Sequence, residues 1–181
     1  MDELRFDLGG GAAVREVRHD DVDALFATST ANQAHLRPWM PWAAHIEREH
    51  TQQYVAMGLA QRAREDGAQF VLLVDDEVAG SMGFHRIDWV NRMTSLGYWI
   101  AEAHQGKGVI SRAVTALVDH AFGRWQLHRV EIDAAVDNVR SRAVPERLGF
   151  VEEGVRRHGE RFGTEYRDLV VYSMLEPDWR R

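Results

Sequence analysis

The sequence predicts a mixed α/β fold in which one domain occupies residues 1–181. Apolar segments of strand length alternate along the chain with segments whose apolar residues recur at helical spacing. Residues 96–123 combine both patterns, as a strand, a glycine-containing turn and a helix. The length and the hydrophobic content of 45% suit one domain with a sizeable core, and we find no repeat or linker that would divide it.

The first part of the chain predicts two strands, a helix and a rigid turn. The strands at 4–8 and 13–18 are separated by three consecutive glycines, which form a flexible turn. Asp20 or Asp21 then caps a helix. Two prolines and two tryptophans within residues 36–42, LRPWMPW, stiffen the chain and present large apolar surfaces.

A longer helix and a strand hairpin are predicted next. The helix covers about 47–65, and its candidates for the inward face are Tyr54, Met57, Leu59 and Ala60. Strands at 69–74 and 78–87 follow, and a pair of aspartates turns the chain between them. A polar loop then leads into the segment around which the chain is organised.

That segment begins with an alternating strand at 96–101 and ends with a helix at 109–123. Between them, Gly106 and Gly108 let the backbone turn sharply and approach a ligand closely. The N-terminus of the helix then offers unpaired N–H groups and a partial positive charge, a combination that binds phosphate. The loop is neither a Walker loop nor a dinucleotide fingerprint, because it lacks a glycine that each motif requires.

The last part of the chain predicts three strands and a short helix. The predicted strands cover 128–136, 150–155 and 166–175. The helix begins at Asn138 and ends at Gly149, and Pro145 within it should cost about 3 kcal/mol unless it lies in the first turns. Residues 156–164 are predicted to form a charged loop between the last two strands.

Composition and charge argue against several classes of protein. The formal net charge of −6 is unlike that of a general nucleic-acid binder and mildly suits an amine-bearing substrate. The absence of cysteine excludes disulfides and a cysteine nucleophile. No apolar run reaches the length of about eighteen residues that spans a membrane, and the acidic N-terminal sequence does not resemble a secretory signal. The nine histidines lack metal-binding spacing, so no metal is expected.

Three separated blocks resemble the GNAT superfamily of N-acetyltransferases, and in particular the RimJ/RimL-like branch that acetylates the N-termini of ribosomal proteins. The superfamily's loop pattern, Gln/Arg-x-x-Gly-x-Gly/Ala, is matched by Gln105 and Gly108, whereas Ile110 departs from its last position. The second block is NVRSRAVPERLGF at 138–150. The third block, at 36–42, is similar to the LxxWxPW segment of this branch.

This resemblance implies a central, strongly bent mixed sheet of about seven strands flanked by helices. Its parallel fourth and fifth strands, which correspond to 96–101 and 128–136, splay apart to admit the pantetheine arm of acetyl-CoA. Loop amides would hold the pyrophosphate, and an N–H near Trp99 or Ile100 would hold the thioester oxygen. The implied acetyl-CoA-binding residues are Tyr98, Trp99, Ile100, Gln105, Gly106, Lys107, Gly108, Val109, Ile110 and Asn138.

The resemblance also implies catalytic and acceptor-binding residues. Ser141 is the candidate for donating a proton to the leaving sulfur, or else it caps the short helix. Glu160 is the candidate base because its loop is expected near the acceptor, and Glu102 is the second candidate. The candidates for binding the acceptor are Trp39, Trp42 and His85. The tryptophans could instead only pack the first helices together, and the histidine could lie on the surface.

The predicted activity is transfer of an acetyl group from acetyl-CoA to the α-amine of a protein N-terminus of the ribosomal Ser or Ala type, by direct attack in a ternary complex. An α-amine, with a pKa of about 7.7–8.0 against about 10.4 for lysine, needs little help to lose its proton. Two alternatives stay open, namely acetylation of a small amine, polyamine or amine-bearing antibiotic, and a non-catalytic acyl-CoA sensor.

The expected setting is the cytoplasm, with neither nucleic acid nor a membrane as a partner. Members of the resembled branch often dimerise, and the exposed aromatic residues that the sequence predicts would permit a homodimer here.

Overall fold

The computed structural model describes residues 4–179, so the first three residues of the acidic N-terminal sequence lie outside the described part. The strands within this range are β1 (Arg5–Gly9), β2 (Ala12–Glu16), β3 (Ala68–Val74), β4 (Glu77–Phe84), β5 (Met93–Ile100), β6 (Arg129–Ala135), β7 (Val151–Phe162) and β8 (Glu165–Leu175). The helices are α1 (Val22–Ala31), α2 (Gln33–Leu36), α3 (Arg48–Arg64), α4 (Val109–Gly123), α5 (Val139–Arg147) and α6 (Glu176–Trp179).

The eight strands described between residues 4 and 179 form one sheet in the order β1-β2-β3-β4-β5-β6-β8-β7. Among these strands, β5 and β6 pair in parallel, and the other neighbours pair antiparallel. The mixed sheet flanked by helices is therefore confirmed, with eight strands where about seven were expected. Because β1 and β2 form a hairpin at one edge of the sheet, the parallel pair is fifth and sixth along this chain rather than fourth and fifth.

The two faces of the sheet carry different helices. Helix α4 begins and ends where the sequence predicted, and its apolar stripe packs with Phe70 and Leu72 of β3. The alternate residues of β3, Val71 and Leu73, pack on the opposite face with residues of α1 and α3, because successive side chains of a strand point to opposite faces. The buried residues of α4 are Val109, Ala113, Val114, Leu117, Val118, Ala121 and Phe122.

Helix α3 faces the sheet with some of the predicted residues, since Tyr54 and Leu59 pack against the core on this face. Met57 was expected to point inward, yet it is 48% exposed, whereas Val55 and Gly58 are buried. A Cβ atom at Gly58 would approach the side chain of Gln69 to within 2.8 Å, so the helix lies unusually close to β3. The prediction was therefore wrong for Met57, and it missed Gly58 because a glycine contributes no apolar signal to the sequence pattern.

The last hairpin differs most from its prediction. The charged loop expected at 156–164 is wrong, because β7 continues to Phe162 and β8 begins at Glu165. Most residues of β7 are exposed, so the segment lacks the alternation of apolar and polar residues that marks a half-buried strand. The pairing register shifts between Arg156 and Glu160, and this irregularity bends the strand.

A buried ion pair fixes the chain at the start of α1. Arg15 donates through both terminal nitrogens to the carboxylate of Asp21, at 2.8 and 2.6 Å, and the backbone N–H of Arg18 donates to the same carboxylate at 2.7 Å. Asp21 directly precedes α1, but its side chain makes no capping hydrogen bond to that helix. The predicted cap therefore holds the preceding turn rather than α1 itself.

We expect Asp21→Ala to lower the free energy of unfolding by about 3–5 kcal/mol, because it leaves the guanidinium of Arg15 buried without its partner. Denaturant-induced unfolding followed by circular dichroism measures this loss. Asp20→Ala removes an exposed carboxylate one residue earlier and serves as the matched control, with an expected change within about 0.5 kcal/mol. Equal losses in the two variants would contradict the prediction.

Candidate functional site

The parallel strands β5 and β6 pair only at their beginnings. Residues 93–95 pair with residues 129–131, and beyond them β5 remains paired with β4 while β6 remains paired with β8. A gap, the wedge, therefore opens between residues 96–100 and 132–135. The predicted splay of these two strands is confirmed.

Backbone groups of β5 face the wedge at alternate residues. Ala101 N–H donates to the carbonyl of Ala79 at 2.7 Å. The backbone N–H and C=O groups of Ala101, Trp99 and Gly97 therefore point towards β4. Successive residues of a strand direct their N–H and C=O groups to opposite edges. Tyr98 and Ile100 therefore direct theirs into the wedge, and of the two expected oxyanion donors Trp99 faces β4 instead.

A cavity of about 540 Å³ extends from the wedge to the proline-rich turn and the start of α3. The residues predicted from sequence that line it are Trp39, Trp42, His85, Tyr98, Trp99, Asn138, Ser141 and Glu160. The loop 105–110 lies outside this lining, where the chain leaves the open end of β5. Glu102, the second candidate base, is exposed in the turn before that loop and is separated from the cavity.

The proline-rich turn is fastened to the rest of the cavity wall. The ring centroids of Trp42 and Trp99 lie 5.8 Å apart, so the turn contacts β5 directly. Arg167 of β8 donates to the carbonyl of Pro38 at 2.6 Å, and its guanidinium lies 3.3 Å from the centroid of the Phe162 ring. The turn therefore closes one side of the cavity against both β5 and the last hairpin.

A proline and a tyrosine together position Ser141. Pro145 lies inside α5 and has no N–H, so the carbonyl of Ser141, four residues earlier, loses its helical partner. The hydroxyl of Tyr98 donates to that carbonyl at 3.0 Å and replaces the missing bond. Burial is the main cause that raises the pKa of Tyr98 to about 12, so it remains a donor at neutral pH. This contact fixes α5 against the wedge and offsets the predicted cost of the proline.

Asn138 and Ser141 stand at the beginning of α5. The Oδ1 of Asn138 accepts a hydrogen bond from the Ser141 N–H at 3.1 Å, which caps the helix. Asn138 therefore caps α5. Ser141 does not fill the capping role that was predicted as its alternative. The hydroxyl of Ser141 remains beside the cavity.

Glu160 is half-buried in β7 and lines the same cavity. Burial raises the pKa of its carboxyl above the ordinary glutamate value, while the guanidinium of Arg167, its partner across the hairpin, opposes that rise. A carboxylate that is reluctant to remain charged is a better proton acceptor than an exposed one. Glu160 is therefore placed where it can take a proton from a group bound in the cavity.

The N-terminus of α4 is open, unlike that of α5. Gly106 and Gly108 have φ values of 72° and 71°, a left-handed conformation that glycine adopts without strain. Gly108 occupies the capping position and has no side chain to bond the first N–H groups of the helix. These N–H groups and the partial positive charge of the helix suit the pyrophosphate of a nucleotide-like ligand.

The loop before α4 is held by residues that were not predicted from the sequence to belong to the site. The Nε2 of Gln105 lies 2.7 Å from the Nε2 of His35, and Arg140 donates to the Gln105 side-chain oxygen at 2.8 Å. Asn32 accepts a hydrogen bond from the backbone of Glu102 at 2.9 Å. The partners of Gln105 lie 70 and 35 residues away in the chain, so no local pattern could have identified them.

Neither a metal-binding cluster nor a membrane-spanning helix is present among the described residues 4–179. No group of three or more His, Cys, Asp or Glu side chains there could hold a metal ion. No helix in that range has the length and apolar character needed to cross a membrane.

Comparison with known proteins relates this architecture to acetyltransferases. The acetyltransferase (GNAT) domain family matches residues 13–151. YdaF of Bacillus subtilis (strain 168), whose name proposes ribosomal N-acetyltransferase activity, is 38% identical over 168 residues, which cover 92% of each chain. The ribosomal-protein-serine acetyltransferase of Escherichia coli (strain K12) is 31% identical over 160 residues, covering 88% of this chain and 89% of that protein.

Solved structures show the same relationship. RimL, a ribosomal alpha-N-protein acetyltransferase in complex with coenzyme A, superimposes with a TM-score of 0.89 at 26% identity, covering 95% of this chain and 98% of that one. RimJ of Mycobacterium smegmatis, in complex with a coenzyme A disulfide, superimposes with a TM-score of 0.88 at 27% identity, covering 99% of this chain and 88% of that one.

Proposed function

Because the chain belongs to the acetyltransferase (GNAT) domain family, we propose that it transfers the acetyl group of acetyl-CoA to the α-amine of a protein N-terminus. The observation that carries this proposal is the wedge, which leads from the region of the open N-terminus of α4 to a cavity lined by Ser141 and Glu160. Relatives whose names specify ribosomal-protein serine and alanine acetyltransferases support a ribosomal N-terminus of the Ser or Ala type as the acceptor. We extend the proposal to residues 1–181 as one domain that acts in the cytoplasm.

Acetyl-CoA is expected to lie along β5. The backbone N–H groups of residues 105–110 hold its pyrophosphate, and the wedge-facing groups of Tyr98 and Ile100 pair with its pantetheine amides as an added strand would. Asn138 uses its oxygen to cap α5, so its amide nitrogen is the group that can contact the pantetheine. A wedge-facing N–H also stabilises the charge that develops on the thioester oxygen, an effect of about 3 kcal/mol.

The acceptor enters the cavity beside Trp39 and Trp42 and attacks the thioester directly. Holding the two reactants together supplies roughly 7–11 kcal/mol of the reduction in the barrier. As the nitrogen–carbon bond forms, Glu160 takes a proton from the amine nitrogen. As the carbon–sulfur bond breaks, the hydroxyl of Ser141 donates a hydrogen bond and then a proton to the leaving sulfur. Glu160 returns its proton to Ser141 through water in the cavity.

We expect Ser141→Ala to lower kcat by about 10- to 100-fold with little change in affinity for acetyl-CoA, because a hydrogen bond to a charged group contributes about 1.5–3 kcal/mol. Steady-state kinetics and calorimetry measure the two quantities. The backbone of residue 141, including its carbonyl bonded by Tyr98, is preserved in this variant. An unchanged kcat would reduce Ser141 to a structural residue of α5.

The experiment that tests the proposed function measures thiol release from acetyl-CoA with a panel of acceptors. The panel contains peptides that begin with Ser, Ala or Met, peptides that carry only a lysine amine, and spermidine. Turnover of an N-terminal peptide that stops when its α-amine is blocked supports the proposal. Turnover of small amines alone, or binding of acetyl-CoA without turnover of any acceptor, would overturn it in favour of amine modification or an acyl-CoA sensor.

A further inference from the structure

A histidine that the mechanism above does not use lies beside the wedge. His85 follows β4, and its imidazole lies over Gly97, so closely that a Cβ atom at that glycine would be 3.0 Å from the ring. Its Nδ1 lies 2.9 Å from the hydroxyl of Ser95. His85 is an exposed residue, as the surface alternative predicted, and it also lines the cavity wall. Gly97 and Ser95 thus place the imidazole in one orientation.

Asp133 stands across the wedge from this histidine. Ser95 and Glu131 are partners in the parallel pair, so Gly97 and Asp133, two residues further on, point to the same face of the sheet. The Oδ2 of Asp133 accepts a hydrogen bond from Arg156 at 2.6 Å. Its Oδ1 is buried and has no hydrogen-bond partner among the described residues. A buried carboxylate oxygen without a partner is costly, which suggests that a cationic group bonds it during function.

The surroundings keep the imidazole neutral. Burial lowers the pKa of His85 below the ordinary histidine value, and the charge of Asp133 partly opposes this shift. The described residues that line the cavity include no lysine or arginine. The other titratable groups in the lining are His45 and Glu47 just before α3, His50 and Tyr54 on α3, Tyr98 on β5, Asp133 on β6 and Glu160 on β7. The acidic groups among them favour a cation in this space.

We propose that His85 and Asp133 form a second proton-accepting site, which binds the acceptor in its protonated form and removes the proton that prevents attack. The proposal rests on the proposed function, because it concerns the amine that the thioester acetylates. It extends that function by making the abundant α-ammonium form, rather than the scarce free amine, the species that the enzyme takes from solution.

The protons balance across the reaction. The α-ammonium carries three protons, and His85 takes the first through Nε2 while the carboxylate of Asp133 stabilises the imidazolium. Glu160 takes the second during attack and passes it through water in the cavity to Ser141, whose own proton goes to the leaving sulfur. The third proton stays on the amide nitrogen. His85 then releases its proton to water in the open cavity. The sum is one ammonium and one thioester giving one amide, one thiol and one released proton.

The test compares kcat/KM across pH for wild type and His85→Asn with a peptide that begins with Ser. Asparagine retains a partner for Ser95 but cannot take a proton, so the variant depends on the free amine in solution. Its deficit relative to wild type should increase as the pH falls below the α-amine pKa of about 7.7–8.0, by up to about tenfold per pH unit, and should be close to zero at pH 9. His19→Asn, at an exposed histidine outside the cavity, is the matched control and should follow wild type.

A deficit that is the same at every pH, or no deficit, would overturn the proposal. A second measurement does not depend on turnover. NMR titration of labelled histidine, with the His85 signal identified by its loss in His85→Asn, should show a lower pKa for His85 in Asp133→Asn than in wild type, and an unchanged pKa would refute the pairing. If wild type acetylates no N-terminal peptide, the proposed function fails, and the titration still decides whether the two residues are coupled.

Discussion

Gly108→Trp is expected to abolish measurable binding of acetyl-CoA. Gly108 has a φ of 71°, which an L-residue adopts only with strain, and a Cβ atom there would lie 3.2 Å from the guanidinium of Arg112. A tryptophan at the capping position also fills the space from which a pyrophosphate reaches the first N–H groups of α4. Isothermal titration calorimetry with acetyl-CoA measures the loss.

Two variants separate the contributions of strain and blockage. Gly10→Trp introduces the same side chain at a left-handed glycine of the N-terminal hairpin, where a Cβ atom has no neighbour within 4 Å, so binding should be retained. Gly108→Ala introduces the backbone strain without a large side chain and should weaken binding less than tryptophan does. Wild-type affinity in Gly108→Trp would show that the loop does not hold the pyrophosphate.

Glu160→Gln is expected to lower kcat by about 100- to 10,000-fold, the usual contribution of general acid–base catalysis. Glutamine keeps the size and polarity of the side chain beside Arg167, but it cannot accept a proton at neutral pH. Stopped-flow or steady-state thiol release with an N-terminal peptide measures the change. Glu165→Gln, at an exposed position of the same hairpin, is the matched control and should retain the wild-type kcat.

The pH dependence of kcat should carry the signature of Glu160. A base is active when deprotonated, so activity falls as the pH falls through its pKa. Because burial raises the pKa of Glu160, this loss should begin at a higher pH than the ordinary glutamate value of about 4.3 implies. An acidic limb that is identical in wild type and Glu160→Gln would assign the limb to another group.

The features that the sequence predicted well are those encoded by neighbouring residues. The boundaries of α4 follow from an apolar stripe at helical spacing and a glycine at each end, because both signals lie within one segment. The same holds for the glycine turn before it and for the alternating strand β5, although β5 begins at Met93, three residues before the predicted start. The wedge was expected from the family resemblance, and the pairing of β5 and β6 confirms it.

Other features depend on residues that meet only after folding. The exposed charges of β7 suggested a loop, because its strand conformation is imposed by pairing with β8 rather than by an apolar pattern. Glu160 was therefore selected from a loop, although it stands on a strand. On α3, the close approach of Gly58 to Gln69 was missed because a glycine gives no apolar signal in the sequence.

In the functional site, some features follow from neighbouring residues in the sequence, and others follow only from contacts made after folding. The residue types and their order along the chain were sufficient to predict the fold, the glycine-containing loop before α4 and the serine at the start of α5. The bond from Tyr98 to the carbonyl that Pro145 leaves unpaired, and the placement of His85 over Gly97 opposite Asp133, required the assembled sheet. Such contacts join residues far apart in sequence, and their geometry is set by strand register and helix packing, which no local pattern specifies.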